Sequence, residues 1–418
     1  MSYSVQMEQK MESNKLYFLD SNIHNWYRFV LSFPPHLVNH YLNRFNASEN
    51  TLVLDPFCGT GTTLVECKKN YIPSIGLEAN PIALLASNVK IDWTIEPSDI
   101  IRLAKNIADI ANTKIQKHKG NYLKLTDEQE KLIIKNSISK LPLHKALILL
   151  NVINLFNENE NYNHLRLAFA KQLVNSYSNL HFGPEVGVSR NKKDDVDVVN
   201  LWLTEVISMA HDIALYKEKE NIYGKTFFAD SRNIYLENKI DIVFTSPPYP
   251  NEKDYSRTTR LESVLLGYIN NREELKKYKK NFLRSNTRNV YISDDDEKFI
   301  NNNGRVMSIS KAIEDKRVIL GKTSGFEKYY HRVVELYFGG IYRHLKNLKK
   351  YLNRNAYLAY VVGDQASYFQ ILINTGSILA EIAEEIGYKV DSIDVFRTRL
   401  STATGKYLNE EVVVLRNN

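Results

Sequence analysis

The sequence predicts an α/β fold in which a doubly wound sheet is interrupted by two insertions. Three observations carry that expectation. A short apolar run, Thr51-Leu52-Val53-Leu54, stops at a turn spanning Asp55 to Gly61, and a helix begins near Thr62. A second run, Pro73 to Glu78, is followed by a helix through Ile82 to Leu85, which completes a strand–helix–strand unit. Strand-like runs then disappear for a long stretch and return at Thr226–Asp230 and Asp241–Thr245.

The elements follow in order. Residues 1–20 are polar and expected to be loosely ordered. Phe33 to Leu42 reads as a helix, with Pro34 and Pro35 suited to its first turn. After the first βαβ unit, amphipathic helices are expected at Ile100–Ile115 and Leu143–Leu155, Pro142 lying just before the second. An irregular basic loop, Gly183 to Lys193, interrupts this helical region. Late strands are expected at Ala356–Val362, Lys389–Phe396 and Glu411–Leu415, with a helix near Ile378–Ile386. The two insertions therefore occupy about 95–220 and about 253–325.

Composition narrows the class. The 418 residues are 43 % hydrophobic and 25 % charged, ordinary for a globular chain with a sizeable core. No basic-then-apolar leader opens the sequence and no apolar run approaches a membrane span, so a cytoplasmic protein without a membrane partner is expected. Two cysteines, Cys58 and Cys67, make neither a disulfide framework nor a four-ligand zinc site, and no metal is expected. The net charge of +7 permits a polyanionic partner without requiring one.

Two motifs carry the chemistry. In Asp55-Pro56-Phe57-Cys58-Gly59-Thr60-Gly61-Thr62, two glycines free the backbone to approach a ligand closely. Glu78 ends the next strand, where an acid accepts hydrogen bonds from ribose hydroxyls. No complete G-x-G-x-x-G is present, which favours a single-nucleoside cofactor over a dinucleotide. The second motif, Ser246-Pro247-Pro248-Tyr249, follows an apolar strand directly. Two prolines fix φ and remove two N–H donors, leaving carbonyls, a hydroxyl and an aromatic ring. Those groups suit an amino-group substrate with a flat face.

V-L-D-P-F-C-G-T-G-T resembles the D-P-F-x-G-x-G-T signature of the DNA amino-methyltransferases, and G-L-E-A-N-P resembles the segment that follows it. The resemblance implies a Rossmann-like methyltransferase fold, a mixed seven-stranded sheet whose last strand is antiparallel, with a large helical insertion. It implies S-adenosylmethionine as cofactor. Asp55 would shape the methionine end, Phe57 and Cys58 line it, Gly59, Gly61 and Thr62 form the turn, Glu78 hold the ribose, and Asp230 lie near the adenine amino group. A helix-capping aspartate is the alternative for Asp230. Ser246, Pro247, Pro248 and Tyr249 would form the catalytic loop, the first two accepting from the target amine and Tyr249 stacking on a flipped base. In the family, serine at the loop's first position is found mostly in cytosine-N4 enzymes and Asp or Asn mostly in adenine-N6 enzymes. Residues His24 to Pro35 resemble the family's N-terminal cofactor motif, but Ser32 stands where a lysine is usual.

On this reading the chain divides into a cofactor half (1–94), a helical insertion (95–220), the catalytic strand and loop (221–252), a basic insertion as candidate target-recognition region (253–325) and a C-terminal part (326–418). Little chain follows the last strand, so the insertions are expected to read the target. Residues 253–290 carry ten Lys or Arg against four acids, and Arg257, Arg260, Arg284 and Arg288 are candidate DNA contacts, with Arg190 a further one. The expected partner is double-stranded DNA with a flipped target base, with a cognate restriction endonuclease as a further candidate. Adenine N6, an RNA amino group and a non-catalytic recognition subunit remain alternatives.

Overall fold

The computed structural model describes residues 16, 20–29, 32–118, 120–183, 185–250, 253–401 and 404–418. Nearly all of the expected polar N-terminal segment lies outside that set, as does Pro184 of the basic loop. The core elements are α1 (Pro35–Arg44), β1 (Val53–Asp55), α2 (Thr62–Lys69), β2 (Ser74–Glu78) and α3 (Pro81–Ile91). Pro35 and Pro81 each open a helix, where the missing N–H is not needed. Asn80 caps α3 by accepting from the Ile82 and Ala83 amides.

Five helices follow: α4 (Pro97–Lys117), α5 (Asp127–Leu132), α6 (Lys140–Ile153), α7 (Tyr162–Gln172) and α8 (Val198–Tyr216). Helix α6 starts three residues earlier than expected, at Lys140, so Pro142 lies inside its first turn. The expected irregular loop is partly ordered as an antiparallel hairpin, β3 (Leu180–Phe182) with β4 (Val186–Val188). The segment 198–219 has the length and apolar character of a membrane span. It packs instead on α4, α6 and α7, burying Trp202, Val206, Met209 and Ala210, while Glu205 pairs with Lys171. Polar residues at every turn are why no unbroken apolar run is visible in the sequence.

The large sheet is completed by β5 (Gly224–Phe228), β6 (Ile240–Thr245), β7 (Leu352–Gly363), β8 (Tyr388–Leu400) and β9 (Tyr407–Asn417). Its order is β5-β2-β1-β6-β7-β9-β8. The pairs β5/β2, β2/β1, β1/β6 and β6/β7 are parallel; β9 runs antiparallel to both neighbours. This is the mixed seven-stranded Rossmann-like methyltransferase sheet that the motifs imply. Strand β5 ends at Phe228, so Asp230 lies in the loop beyond it rather than on the strand.

Period-two alternation explains the two buried faces. Val53, Ile242, Phe244, Ala359 and Val361 pack with Leu37, Val38 and Tyr41 of α1. Leu54, Val243, Leu358, Tyr360 and Val362 pack under α13 (Tyr330–Leu348) and α14 (Thr375–Ile386). The second insertion contributes α9 (Tyr255–Thr258), α10 (Arg260–Leu265), α11 (Arg272–Lys279) and α12 (Gly304–Ile319). Leu261, Val264 and Ile269 from it join the helical core formed by the first insertion. The strand order reverses between β1 and β6, the place where an open α/β sheet leaves a crevice at its carboxyl ends.

Candidate active site

Both motifs sit at that reversal. At the end of β1 the chain turns through Gly59 (φ +51°) and Gly61 (φ +86°), dihedrals that side chains with a Cβ resist. A Cβ on Gly59 would point into open space, whereas one on Gly61 would meet Ser87 of α3 at 3.0 Å. Gly59 thus leaves room for a ligand and Gly61 lets the turn pack on α3. The Glu78 carboxylate accepts from the Gly59 N–H (2.8 Å) and the Asn80 N–H (2.7 Å). Burial nevertheless pushes its pKa up to about 7, because two backbone donors do not replace full hydration. A vicinal pair of ribose hydroxyls would supply the missing donors.

Behind the turn, Asp55 is fully buried and accepts from Thr63 Oγ1 (2.6 Å), Thr245 Oγ1 (2.6 Å) and the Phe57 N–H (3.1 Å). Burial raises its pKa to about 6 against those three bonds. Thr245 is the last residue of β6, immediately before Ser246. One carboxylate therefore ties the cofactor turn to the catalytic loop. Phe57 rests edge-on against His344 (5.0 Å between centroids). His344 is held between the Ser231 carbonyl (2.8 Å) and the Tyr360 hydroxyl (2.7 Å), and burial lowers its pKa to about 4, so it stays neutral.

The loop after β6 is fixed from the other side. Ser246 Oγ donates to the Val361 carbonyl (3.1 Å) on β7 and lies within hydrogen-bonding reach of the Tyr249 hydroxyl. The Tyr249 ring lies over Gly363, where a Cβ would come within 3.0 Å of it. The decisive geometry is shared space. Pro56 to Thr60, Thr62, Glu78, Ser246, Pro247, Pro248 and Tyr249 all line one cavity of about 480 Å³.

The chain also resembles known proteins. The family model of the N6/N4 DNA methylases matches residues 4–88. The Type II methyltransferase M.BsoBI of Geobacillus stearothermophilus is 27 % identical over 93 % of this chain and 83 % of its own length. M.AvaI of a Nostoc species is 24 % identical over 90 % of this chain and 81 % of its own, and M.MvaI of Kocuria varians is 26 % identical over 62 % of each.

The matched family model and these relatives support the DNA amino-methyltransferase family to which the motifs point. Its methyl donor is S-adenosylmethionine, and the turn fits that group: an open face at Gly59, an under-compensated acid at Glu78, and apolar walls from Phe29, Phe57, Ala229 and Phe282.

The methyltransferase places several expected site residues differently. Asp55 and Gly61 support the cavity from behind and do not line it. Asp230 is likewise off the wall; its carboxylate is gripped by Arg232 (Nη2 at 2.7 Å, Nε at 2.9 Å) and accepts the Arg232 N–H, while Ala229 and Ser231 face the cavity. Asp230 thus sits in an ion pair that Asp296 extends through Arg232 Nη1 (2.6 Å), its side chain 16 % exposed.

Among the expected DNA contacts, Arg284 is 2 % exposed and clamped by both oxygens of Asp294 at 2.8 Å, so it reaches no phosphate. Arg260 is half-buried and donates to the carbonyl and hydroxyl of Ser256, one turn back. Arg288 lies over the Phe326 ring. Arg190 is exposed, and Arg257 is half-buried beside Glu185 (3.7 Å). That pair brings the β3–β4 hairpin against α9, so the two candidate recognition segments adjoin.

The wall has further residues beyond the two central motifs. Phe29, Ser32 and Phe33 line the cavity, in keeping with the N-terminal motif, with Ser32 facing it where the family has lysine. Asn281 to Leu283, Ser285 and Asn289 come from the second insertion, and Phe396, Arg397, Arg399 and Glu410 from the C-terminal hairpin. The one available signal was Arg397-Thr398-Arg399, whose alternation puts two cations on one face of a strand.

Proposed function

We propose that this methyltransferase modifies N4 of cytosine at a specific sequence in double-stranded DNA, as the modification enzyme of a restriction-modification system. The observation that carries the reading is the single cavity walled by the cofactor turn and by a Ser-Pro-Pro-Tyr loop whose first residue is serine rather than an acid. The similarity to Type II methyltransferases supports this biological setting and a cognate endonuclease as partner. We place it in the cytoplasm with its DNA.

S-adenosylmethionine, when bound, supplies an electrophilic methyl group on a sulfonium. The chain's own residues deal with a weak nucleophile, since the lone pair of a base amine is delocalised into the ring. Ser246 Oγ and the Pro247 carbonyl accept from the two amino hydrogens, holding the nitrogen in line and favouring its pyramidal form. Tyr249 stacks on the flipped base, braced by Gly363 beneath it. Asp55 keeps the two corners in register through Thr63 and Thr245. The product nitrogen then sheds one proton to solvent. Residues 253–325 and the Arg190 hairpin form the surface that reads the target, with Arg190, Arg257 and Arg288 as the arginines best placed to contribute.

The test is direct. Unmodified DNA is methylated with the purified protein, digested to nucleosides and analysed by mass spectrometry. N4-methylcytosine is expected; N6-methyladenine would overturn the choice of base, and transfer to structured RNA alone would overturn the choice of polymer.

A further inference from the structure

The far wall of the cavity carries an ion cluster that the chemistry above does not use. Arg397 and Arg399 sit at alternate positions of β8 and so share a face. Arg397 is paired in register with Glu410 on β9, and its guanidinium grips that carboxylate through Nε (2.6 Å) and Nη2 (2.7 Å). Arg399 approaches the same carboxylate (3.5 Å) and donates from Nη2 to the Asp364 carbonyl (2.7 Å). Lys253, just beyond the catalytic loop, lines the same wall. Burial lowers its pKa, and the nearby Arg399 charge lowers it further. Arg397 and Arg399 thus share Glu410, with Asp364 near Arg399 and Glu185 near Lys253.

Position along the sheet says which ligand this charge serves. The cofactor's ribose acid is on β2 and its glycine turn on β1; Ser246 follows β6; the cluster is on β9 and β8, beyond β7. At about 4.8 Å per strand, β9 lies about 14 Å from β1, on the opposite side of the catalytic loop. Glu410 also meets the Tyr249 ring over Gly363, where a Cβ would lie 3.0 Å from the ring and 3.3 Å from the Glu410 side chain. The cluster therefore abuts the group that stacks on the base, and it lies away from the cofactor end. The side chain of Arg399 is 33 % exposed against 10 % for Glu410, so the acid is the buried anchor and the guanidinium is presented outward. Five N–H donors in a rigid fork and no acceptor suit an oxyanion.

We infer that Arg399, seated on Glu410 beside Arg397, is the clamp for the backbone phosphate of the flipped target nucleotide. The inference rests on the reading of the cavity as a DNA methyltransferase site and names a contact within it. Glu410 takes up Arg397 with two short hydrogen bonds but Arg399 only at 3.5 Å, which leaves the Arg399 guanidinium the less neutralised of the two. Holding the phosphate while Tyr249 stacks the base fixes the flipped nucleotide at two points.

The probe is a synthetic duplex bearing the site mapped by sequencing DNA that the wild-type enzyme has methylated, with the target base either intact or replaced by an abasic residue. Arg399→Ala is expected to weaken duplex binding about tenfold, the size of one charge-assisted contact, and to reduce the slope of log Kd against log salt by about one. Both effects should persist on the abasic duplex, and the cofactor Kd should stay within twofold of wild type. Arg399→Lys should retain the slope. Arg399→Gln gives the same readout should the alanine variant not fold. An unchanged slope overturns the clamp, as does a loss confined to the intact duplex, which would make Arg399 a reader of the base, or a loss of cofactor affinity. A wild-type enzyme that methylates no DNA sinks the underlying reading instead, whereas an active wild type matched by Arg399→Ala sinks only the clamp.

Discussion

The perturbation that most directly tests the cofactor site is Glu78→Gln followed across pH. Burial holds the Glu78 carboxyl at about 7, so about one molecule in eleven is ionised at pH 6 and about ten in eleven at pH 8. Ribose hydroxyls donate to the carboxylate, so the ionised form is the one that binds. Cofactor affinity of the wild type should therefore strengthen about tenfold from pH 6 to pH 8. The same shift weakens the ligand-free fold. A pKa raised from 4.5 gives stability that is full below the unfolded value and is lost as pH rises through about 7. The loss is at most about 3 kcal/mol, an upper limit because the carboxylate faces an open cavity. Saturating cofactor should restore part of it. Glu78→Gln keeps the shape, removes the charge and turns an NH2 group towards the Gly59 or Asn80 amide. It should bind the cofactor ten- to a hundredfold more weakly at pH 8, with a flat profile. Isothermal titration of wild type and variant at pH 6, 7 and 8 decides the matter. A flat wild-type profile, or a variant that keeps the slope, refutes the assignment of Glu78 to the ribose.

Three further outcomes are expected. Tyr249→Ala should lower kcat about a hundredfold in a tritiated methyl-transfer assay while leaving cofactor Kd unchanged, and Tyr249→Phe should retain most activity, since the ring and not the hydroxyl stacks. Thr245→Val removes one of the three donors to buried Asp55, costs about 1.5–3 kcal/mol in denaturant unfolding, and lowers kcat because the catalytic loop loses its tie to the turn. Arg284→Ala breaks a buried pair with Asp294 and should cost about 3–5 kcal/mol of stability with no change in the salt dependence of DNA binding, whereas Arg190→Ala should do the reverse.

The Arg284 result shows why residue type alone misplaces function. Arg190, Arg257, Arg260, Arg284 and Arg288 look alike in a basic stretch. The structure gives Arg284 to Asp294, a partner ten positions on, and turns Arg260 back on Ser256 of the preceding helix. Asp230 likewise has a partner that residue type did not announce: a neighbouring Arg232 holds its carboxylate, and Ala229 and Ser231 line the wall on either side. Charge density along a sequence counts cations, and only packing says which of them are already paired.

What the chain's letters determined were the local devices. Gly59 and Gly61 dictate a turn no other residues would make as readily, and Glu78 must end the next strand. Two prolines after an apolar strand stiffen the catalytic corner, and alternating apolar residues call for a sheet covered on both faces. Each is a matter of near neighbours and backbone freedom, so each is legible in one dimension. Only the tertiary structure decided that these corners share one cavity, that Asp55 links them, and that Arg397, Arg399 and Glu410 from the last hairpin complete the wall. Those facts depend on β9 inserting between β7 and β8 and on side chains far apart in sequence competing for the same partners. Long-range pairing of that kind leaves no periodic trace in the sequence.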